Sequence, residues 1–215
     1  MTLPIQPFLS VWTVLAVNVL SPGPNVLNTM MSAMGSGRAA GLASALGVAL
    51  GVGLWCLAMT LGMAALFEAV PAARQGLTGL AVALLAWFAA RYLRAAWNGF
   101  RGGQGRIAAH AGLGPRASFL RSLSVNATNP KALTTWVVIL SIFPVAHAAP
   151  ADIAVLCLGA SLIAFGIHAG YALAFSTGPA LGLWRRIAPA ISAAVGLFFL
   201  GFAARLAIGL LHSGG

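Results

Sequence analysis

The chain has 215 residues, 60% of them hydrophobic and 7% charged, with a mean hydropathy of +0.94. A soluble domain carries roughly 25% charged residues, so too few are present to cover a solvated surface, and the composition implies an integral membrane protein. The formal charge of +10 sets twelve basic residues, with Lys131 the single lysine, against two acids, Glu68 and Asp152. The arginines lie in short connections between apolar runs without interleaved aromatic residues, which fits topogenic charge and argues against a nucleic-acid partner.

At about 20–25 residues per crossing, this length holds six spans in a lipid bilayer and leaves no room for a sizeable soluble domain, so residues 1–215 read as one membrane domain. The N-terminus lacks a basic n-region and an Ala-x-Ala-like site, so the first apolar run is expected to be a retained span. Span 1 covers about Phe8–Met34. It is interrupted at Ser21-Pro22-Gly23-Pro24-Asn25, because proline removes a backbone donor and clashes with the preceding turn. Gly35 to Arg38 is expected as a turn. Span 2, about Ala39–Phe67, carries Gly37/Gly41 and Gly47/Gly51, small-residue pairs that permit close helix approach. Glu68 to Gln75, with Pro71, forms the next connection. Span 3, about Gly76–Trp97, ends with Arg91 and Arg94, which can snorkel toward headgroups. Residues 98–116, with Arg101, Arg106 and Arg116, read as a flexible basic linker.

Span 4, about Ala117–Phe143, is broken at Asn126-Ala127-Thr128-Asn129-Pro130-Lys131. Pro144 to Pro150 closes it, and span 5 covers about Asp152–Phe175. Gly178 to Pro189, with Arg185 and Arg186, is expected as a basic turn before span 6, about Ala190–Leu211. Cys56 and Cys157 fall in apolar runs and read as buried small hydrophobes rather than a disulfide or metal pair. Trp97 and Trp184 suit interface anchors, whereas Trp55 and Trp136 either line a cavity or pack.

Three spans lie on each side of the linker, in repeats 8–97 and 117–211. Pro24 and Pro130 fall in the first span of each half. An odd number of spans inverts the second half, so the fold class is an all-α, six-span 3+3 inverted-topology repeat with broken helices 1 and 4. Most arginines fall on the side shared by connections 1–2, 3–4 and 5–6, which places that side in the cytoplasm and both termini outside.

Irregular backbone survives in a bilayer only where protein buries it or where it lines a cavity. At the first break Pro22 and Pro24 free carbonyls, Gly23 allows close approach, and Asn25 opens a half-helix whose amides and dipole favour an anion. A zwitterionic amino acid matches a site with such amides and freed carbonyls; a proline kink needed only for packing is the competing reading. At the second break Asn126 and Asn129 offer amide groups. Lys131 lies about 18 Å into its span, at ~1.5 Å per residue, where complete snorkelling is difficult. It either meets a substrate carboxylate and titrates, or is held by backbone carbonyls of the other break as structural glue. His168, between Gly166 and Gly170, is either a proton relay or a hydrogen-bonded packing residue. No catalytic constellation, metal set, cofactor motif or phosphate loop appears, so neither an enzyme nor a directly ATP-driven pump is expected.

Ser21-Pro22-Gly23-Pro24-Asn25, the Gly35-x-Gly-Arg38-x-x-Gly41 segment, Gly47-x-x-x-Gly51, Leu61-Gly62, Asn126 to Ala132, and Gly196 to Gly201 together resemble the LysE/RhtB family of amino-acid exporters. The resemblance implies proton-driven efflux of amino acids or derivatives from the bacterial cytoplasm across the inner membrane. It lends importance to Pro22, Gly23, Pro24, Asn25, Asn129, Pro130 and Lys131. Many members carry an acid where this chain has Val52, and apolar residues where it has Arg91 and Arg94. Competing functions are export of another solute or a metal ion, and a non-transporting scaffold. The glycine-rich faces also permit a homodimer.

Overall fold

The computed structural model describes residues 2–70, 73–102, 112–177 and 179–213. Pro71, Arg106 and Gly178, which the sequence places in connections, lie outside the described residues. Seven α-helices and one short 3-10 turn, Val145–His147, make up the regular structure, with no strand among the described residues. The helices are α1 (Ile5–Leu20), α2 (Pro24–Ala69), α3 (Ala73–Phe100), α4 (Pro115–Ala127), α5 (Pro130–Ile142), α6 (Pro150–Phe175) and α7 (Ala180–Ser213). Four of them, α2, α3, α6 and α7, are long and apolar enough to cross a membrane; α1 and α5 are shorter apolar helices.

Both proline-bearing breaks are present. Helix α1 ends at Ser21, whose backbone is extended, and α2 starts with Pro24 in its first turn. Helix α4 ends at Thr128, and α5 starts with Pro130 in its first turn. In each case the ring sits where a helix would not use its N–H, so proline starts the second helix instead of bending a single one.

The expected turn at Gly35 to Arg38 is present as a sharp kink: α2 is two helices, 24–36 and 38–69, joined at Gly37, whose backbone is non-helical at φ 81 and ψ −175. That left-handed φ favours glycine, and one such residue is enough to redirect the axis. The basic segment expected as a turn before span 6 is a correction. From Ala180 onward it is helical, with Pro189 inside α7. Its apolar and arginine residues are good helix formers. The bulk of the proline ring is met by a glycine: a Cβ on Gly99 of α3 would lie 2.7 Å from Pro189 Cγ. The expected linker is shorter than its sequence bounds, since α3 extends to Phe100 and α4 begins at Pro115.

Helix α2 packs against α6 and α4, α3 against α7 and α5, and α1 against α5 and α6. The larger apolar core joins α1, α5, the later part of α2, the first part of α6, α3 and α7, around Phe8, Val11, Trp136, Ile139, Phe143 and Leu156. A smaller one gathers Val26, Met30 and Ala33 of α2 with Ala172 and Phe175 of α6 and Trp184 of α7. Trp184 is therefore a core residue, edge-to-face with Tyr171 and Phe175, and not an interface anchor, whereas Trp97 is exposed. Small residues set the closest approaches: a Cβ on Gly41 would meet Ala33 and Ala172, and one on Gly159 would overlap the Trp12 ring. In lipid there is little hydrophobic drive between helices, so such van der Waals fits carry the association. The thiols of Cys56 and Cys157 are free; Cys56 is buried beside the Thr60 hydroxyl, and Cys157 is only half-buried. At the end of the molecule near the N-terminus, the buried Asp152 carboxylate accepts bonds from the Thr2 hydroxyl and from the backbone N–H of Thr2 (2.9 Å) and Ala149 (3.0 Å).

Candidate functional site

Breaking a helix frees backbone groups that must be satisfied elsewhere. At the C-terminal end of α1 the partner is Lys131. Its Nζ donates to Asn18 O at 2.9 Å, to Ser21 Oγ at 2.6 Å and to Ser21 O at 3.5 Å. Ser21 Oγ itself bonds Asn18 O, so the Tyr92 hydroxyl, 2.6 Å away, donates to Ser21. Tyr92 also offers its ring to the ammonium, 5.4 Å from the centroid. The Tyr171 hydroxyl takes up Leu20 O at 2.8 Å. At the end of α4, Trp55 Nε1 donates to Asn126 O at 3.2 Å. Tyr171→Phe removes a donor and leaves Leu20 O short of a partner, so the variant should lose about 1 kcal/mol, seen as a lower unfolding temperature in detergent.

The two helix starts differ. At α5, Asn129 Oδ1 accepts the Lys131 N–H at 3.0 Å, a normal N-cap. At α2, the preceding residue is Gly23 and no side chain caps the end among the described residues. Asn25 and Val26, in the first turn of α2, line a small cavity. Only one of the two helix N-termini therefore has a side-chain cap.

That cavity lies where the breaks meet. It has a volume of about 40 Å³, and Asn18, Ser21, Gly23, Asn25, Asn126, Lys131 and His168 are among its walls. Such a volume holds only one or a few waters. Several of its polar atoms are buried and unpartnered: Asn18 Oδ1, Asn25 Oδ1, both amide atoms of Asn126, and His168 Nε2. His168 is 1% exposed, and its Nδ1 lies 2.9 Å from Ala164 O, which fixes the ring and leaves Nε2 at the cavity. A buried polar atom without a partner is costly, and several of them converging on one small space are a mark of a site for a polar ligand.

Of the residues expected from sequence, Gly23, Pro24, Asn25, Asn126, Asn129, Lys131 and His168 all line this cavity. Pro22 and Pro130 do not. They line a second, larger pocket of about 250 Å³ beside it, walled also by Trp87, Phe88, Arg91 and Tyr92. The freed carbonyls of α1 are not open to a ligand ammonium, because the Lys131 ammonium occupies them. Sequence reasoning does not bring Asn18 or Tyr92 to the site, and it gives Ser21 only as part of the first break. Asn18 carried a usable signal: it is a polar residue one turn before the break in an otherwise apolar run. Its Nδ2 donates to Thr135 Oγ1, which in turn donates to Lys131 O at 2.5 Å, tying α1 to α5.

A polar seam leaves the cavity toward the end of the molecule that carries Arg38 and Arg116. Asn28 Nδ2 donates to Ser122 Oγ at 2.6 Å, Ser122 meets Ser44 at 2.6 Å, and Ser44 meets Thr29 at 2.9 Å. Arg121 Nε donates to Asn28 Oδ1 at 3.0 Å. Asn25, Asn28, Thr29 and Ser32 recur at helical spacing on one face of α2, and Ser118, Ser122 and Asn126 on one face of α4. Gly47 and Gly51 let these faces close: a Cβ on Gly51 would lie 2.5 Å from Asn126 Oδ1, and one on Gly47 would overlap Phe119 O. On the opposite side, Leu15 and Trp136 separate the cavity from the larger apolar core.

Apolar helices long enough to cross a bilayer, around a buried polar cavity at two helix breaks, define a multi-pass membrane protein. A family model for the LysE type translocator matches residues 16–210, and the chain belongs to that family. Members of that family are membrane translocators. No curated protein and no solved structure matches the chain.

Proposed function

We propose that the protein exports amino acids or their derivatives from the cytoplasm by alternating access, coupled to an inward proton flow. The observation that carries this is the set of unpartnered atoms on Asn18, Asn25, Asn126 and His168 around one cavity beside Lys131. A zwitterion would satisfy them as a group. Its carboxylate suits the uncapped N-terminus of α2 together with Lys131, and its ammonium suits the oxygens of Asn18, Asn25 and Asn126.

We read the chain as a six-span inverted repeat. Treating α1 with residues 24–36 as one broken span and α4 with α5 as its counterpart, residues 38–69 correspond to α6 and α3 to α7. Part of the packing fits one two-fold exchange, with α2 on α6 and α3 on α7 self-paired and α1 on α6 matching α4 on α2, whereas α3 on α5 has no counterpart of similar extent between α7 and α2. Paired broken helices at such an axis are where secondary transporters hold their cargo. With the arginine-rich end in the cytoplasm, both termini lie outside, and the polar seam is the closed inward half of the path.

In this arrangement Lys131 is the latch. Its bonds to Asn18 and Ser21 hold the two breaks together while the cavity is too small for cargo. A substrate carboxylate competes for the ammonium and loosens that hold, so cargo binds the open and closed states differently, as any ligand-driven change requires. Lys131 and His168 are the groups beside the cavity that can carry the coupling proton.

The reading is tested in vesicles loaded with labelled amino acids. Efflux should depend on the purified protein and accelerate several-fold when a pH gradient drives protons inward against it. Efflux indifferent to the gradient would remove proton antiport, and no efflux of any amino acid would remove the substrate class.

A further inference from the structure

Cargo needs more room than the small cavity beside His168 gives, and the adjoining pocket supplies it. The two share Gly23, Pro24, Asn129 and Lys131 as walls. Only the break residues divide them. A Cβ on Gly23 would lie 3.2 Å from Lys131 Nζ, so a glycine keeps the partition thin. Beyond it lie Trp87, Phe88, Arg91 and Tyr92 around about 250 Å³. The Arg91 guanidinium lies 4.8 Å from the centroid of the Trp87 ring. Stacking of this kind orients a guanidinium by its face and leaves its N–H edge for a carboxylate.

The charge of this space is one-sided. The chain has two acids, Glu68 and Asp152, and neither lines either pocket. Asp152 is engaged with Thr2 and Ala149, and Glu68 is exposed near the end of α2. A cationic side chain brought here would add a third positive charge to Lys131 and Arg91 with no carboxylate to compensate it. An anionic side chain would find a ready partner.

We infer that the pocket of Trp87, Phe88, Arg91 and Tyr92 is the side-chain subsite of the translocator, and that it selects amino acids with acidic side chains over basic ones. The inference rests on the amino-acid export reading and adds its substrate class. The full-length protein in vesicles, assayed by counterflow with labelled glutamate, leucine and lysine, tests it. Wild type should move glutamate at least tenfold faster than lysine. Arg91→Gln should lower the glutamate-to-leucine rate ratio at least tenfold, and Arg91→Glu should lower it further while raising lysine relative to glutamate. A purely structural role for Arg91 would depress all three rates together and leave the ratios alone, which would overturn the subsite. Lysine moving as fast as glutamate in wild type, or leucine moving without glutamate, would overturn the selectivity while leaving amino-acid export intact. No movement of any of the three with the protein folded and inserted would instead remove the export reading and this inference with it.

Discussion

Lys131→Met should reduce efflux to background while the protein still inserts and unfolds cooperatively. The ammonium has two duties that a thioether cannot perform. It satisfies Asn18 O and Ser21 O, carbonyls freed by the first break, and in the proposed cycle it meets the substrate carboxylate. Removing one partner of a buried, hydrogen-bonded charge pair costs about 2–5 kcal/mol, which is roughly 30-fold to several-thousand-fold in binding. Methionine keeps the volume and the helix propensity, so the stability loss should stay within about 1–3 kcal/mol, the cost of a carbonyl left unsatisfied. Lys131→Arg separates charge from shape. Its guanidinium is broader than an ammonium and must fit where Gly23 already leaves 3.2 Å between an added Cβ and Nζ. Transport should therefore fall sharply with the charge retained. Flux measured beside thermal unfolding reads both effects. Wild-type flux in Lys131→Met would remove the latch.

The two roles weighed for Lys131 from sequence, structural glue and substrate contact, become successive states of one residue in this cycle. The carbonyls hold it when the cavity is closed, and cargo displaces it. The sequence carried the ingredients because proline, glycine and an intramembrane charge are all costly in a helix, and a costly residue stands out against an apolar background. Both breaks, the tight approaches at Gly41, Gly47 and Gly51, and the meeting of Asn25, Asn126 and Lys131 were legible in this way, whereas the place of His168 beside them was not.

What escaped is equally physical. Pro189 looked like a helix boundary, yet it sits within α7 because Gly99 on a helix about ninety residues earlier makes room for its ring. Tyr171 and Trp55 donate to backbone carbonyls of other helices and Tyr92 to the Ser21 hydroxyl, and nothing local to an aromatic residue tells which distant atom its donor will reach. Which helix start is capped is likewise not written in either break taken alone: Asn129 caps its own helix, and Gly23 has no side chain to do so.

The seam between α2 and α4 yields the last prediction, in which two neighbouring glycines should fail in different ways. A Cβ at Gly47 would overlap the backbone carbonyl of Phe119, with Ser122 Cβ at 3.1 Å behind it. No side-chain rotation relieves a clash with backbone, so Gly47→Val must push α4 away from α2. Overpacking of this kind costs about 1–3 kcal/mol, and here it also moves the helix that carries Asn126 and leads into Lys131. Gly47→Val should therefore lose both thermal stability and transport. At Gly51 the obstacle is the Asn126 side chain, with Oδ1 at 2.5 Å and Cβ at 2.9 Å. Gly51→Ala is met by turning the amide aside and shifting α4 by a few tenths of an ångström, so stability should fall by about 1–2 kcal/mol, less than at Gly47. The amide atoms of Asn126 are unpartnered and line the cavity, so turning them aside should still cost about tenfold in transport, equivalent to ~1.4 kcal/mol. Gly62→Ala is the control, since a Cβ there meets nothing within 4 Å. Should Gly51→Ala transport like wild type, Asn126 would be a packing residue, and the cavity's polar atoms would lose their claim on the substrate.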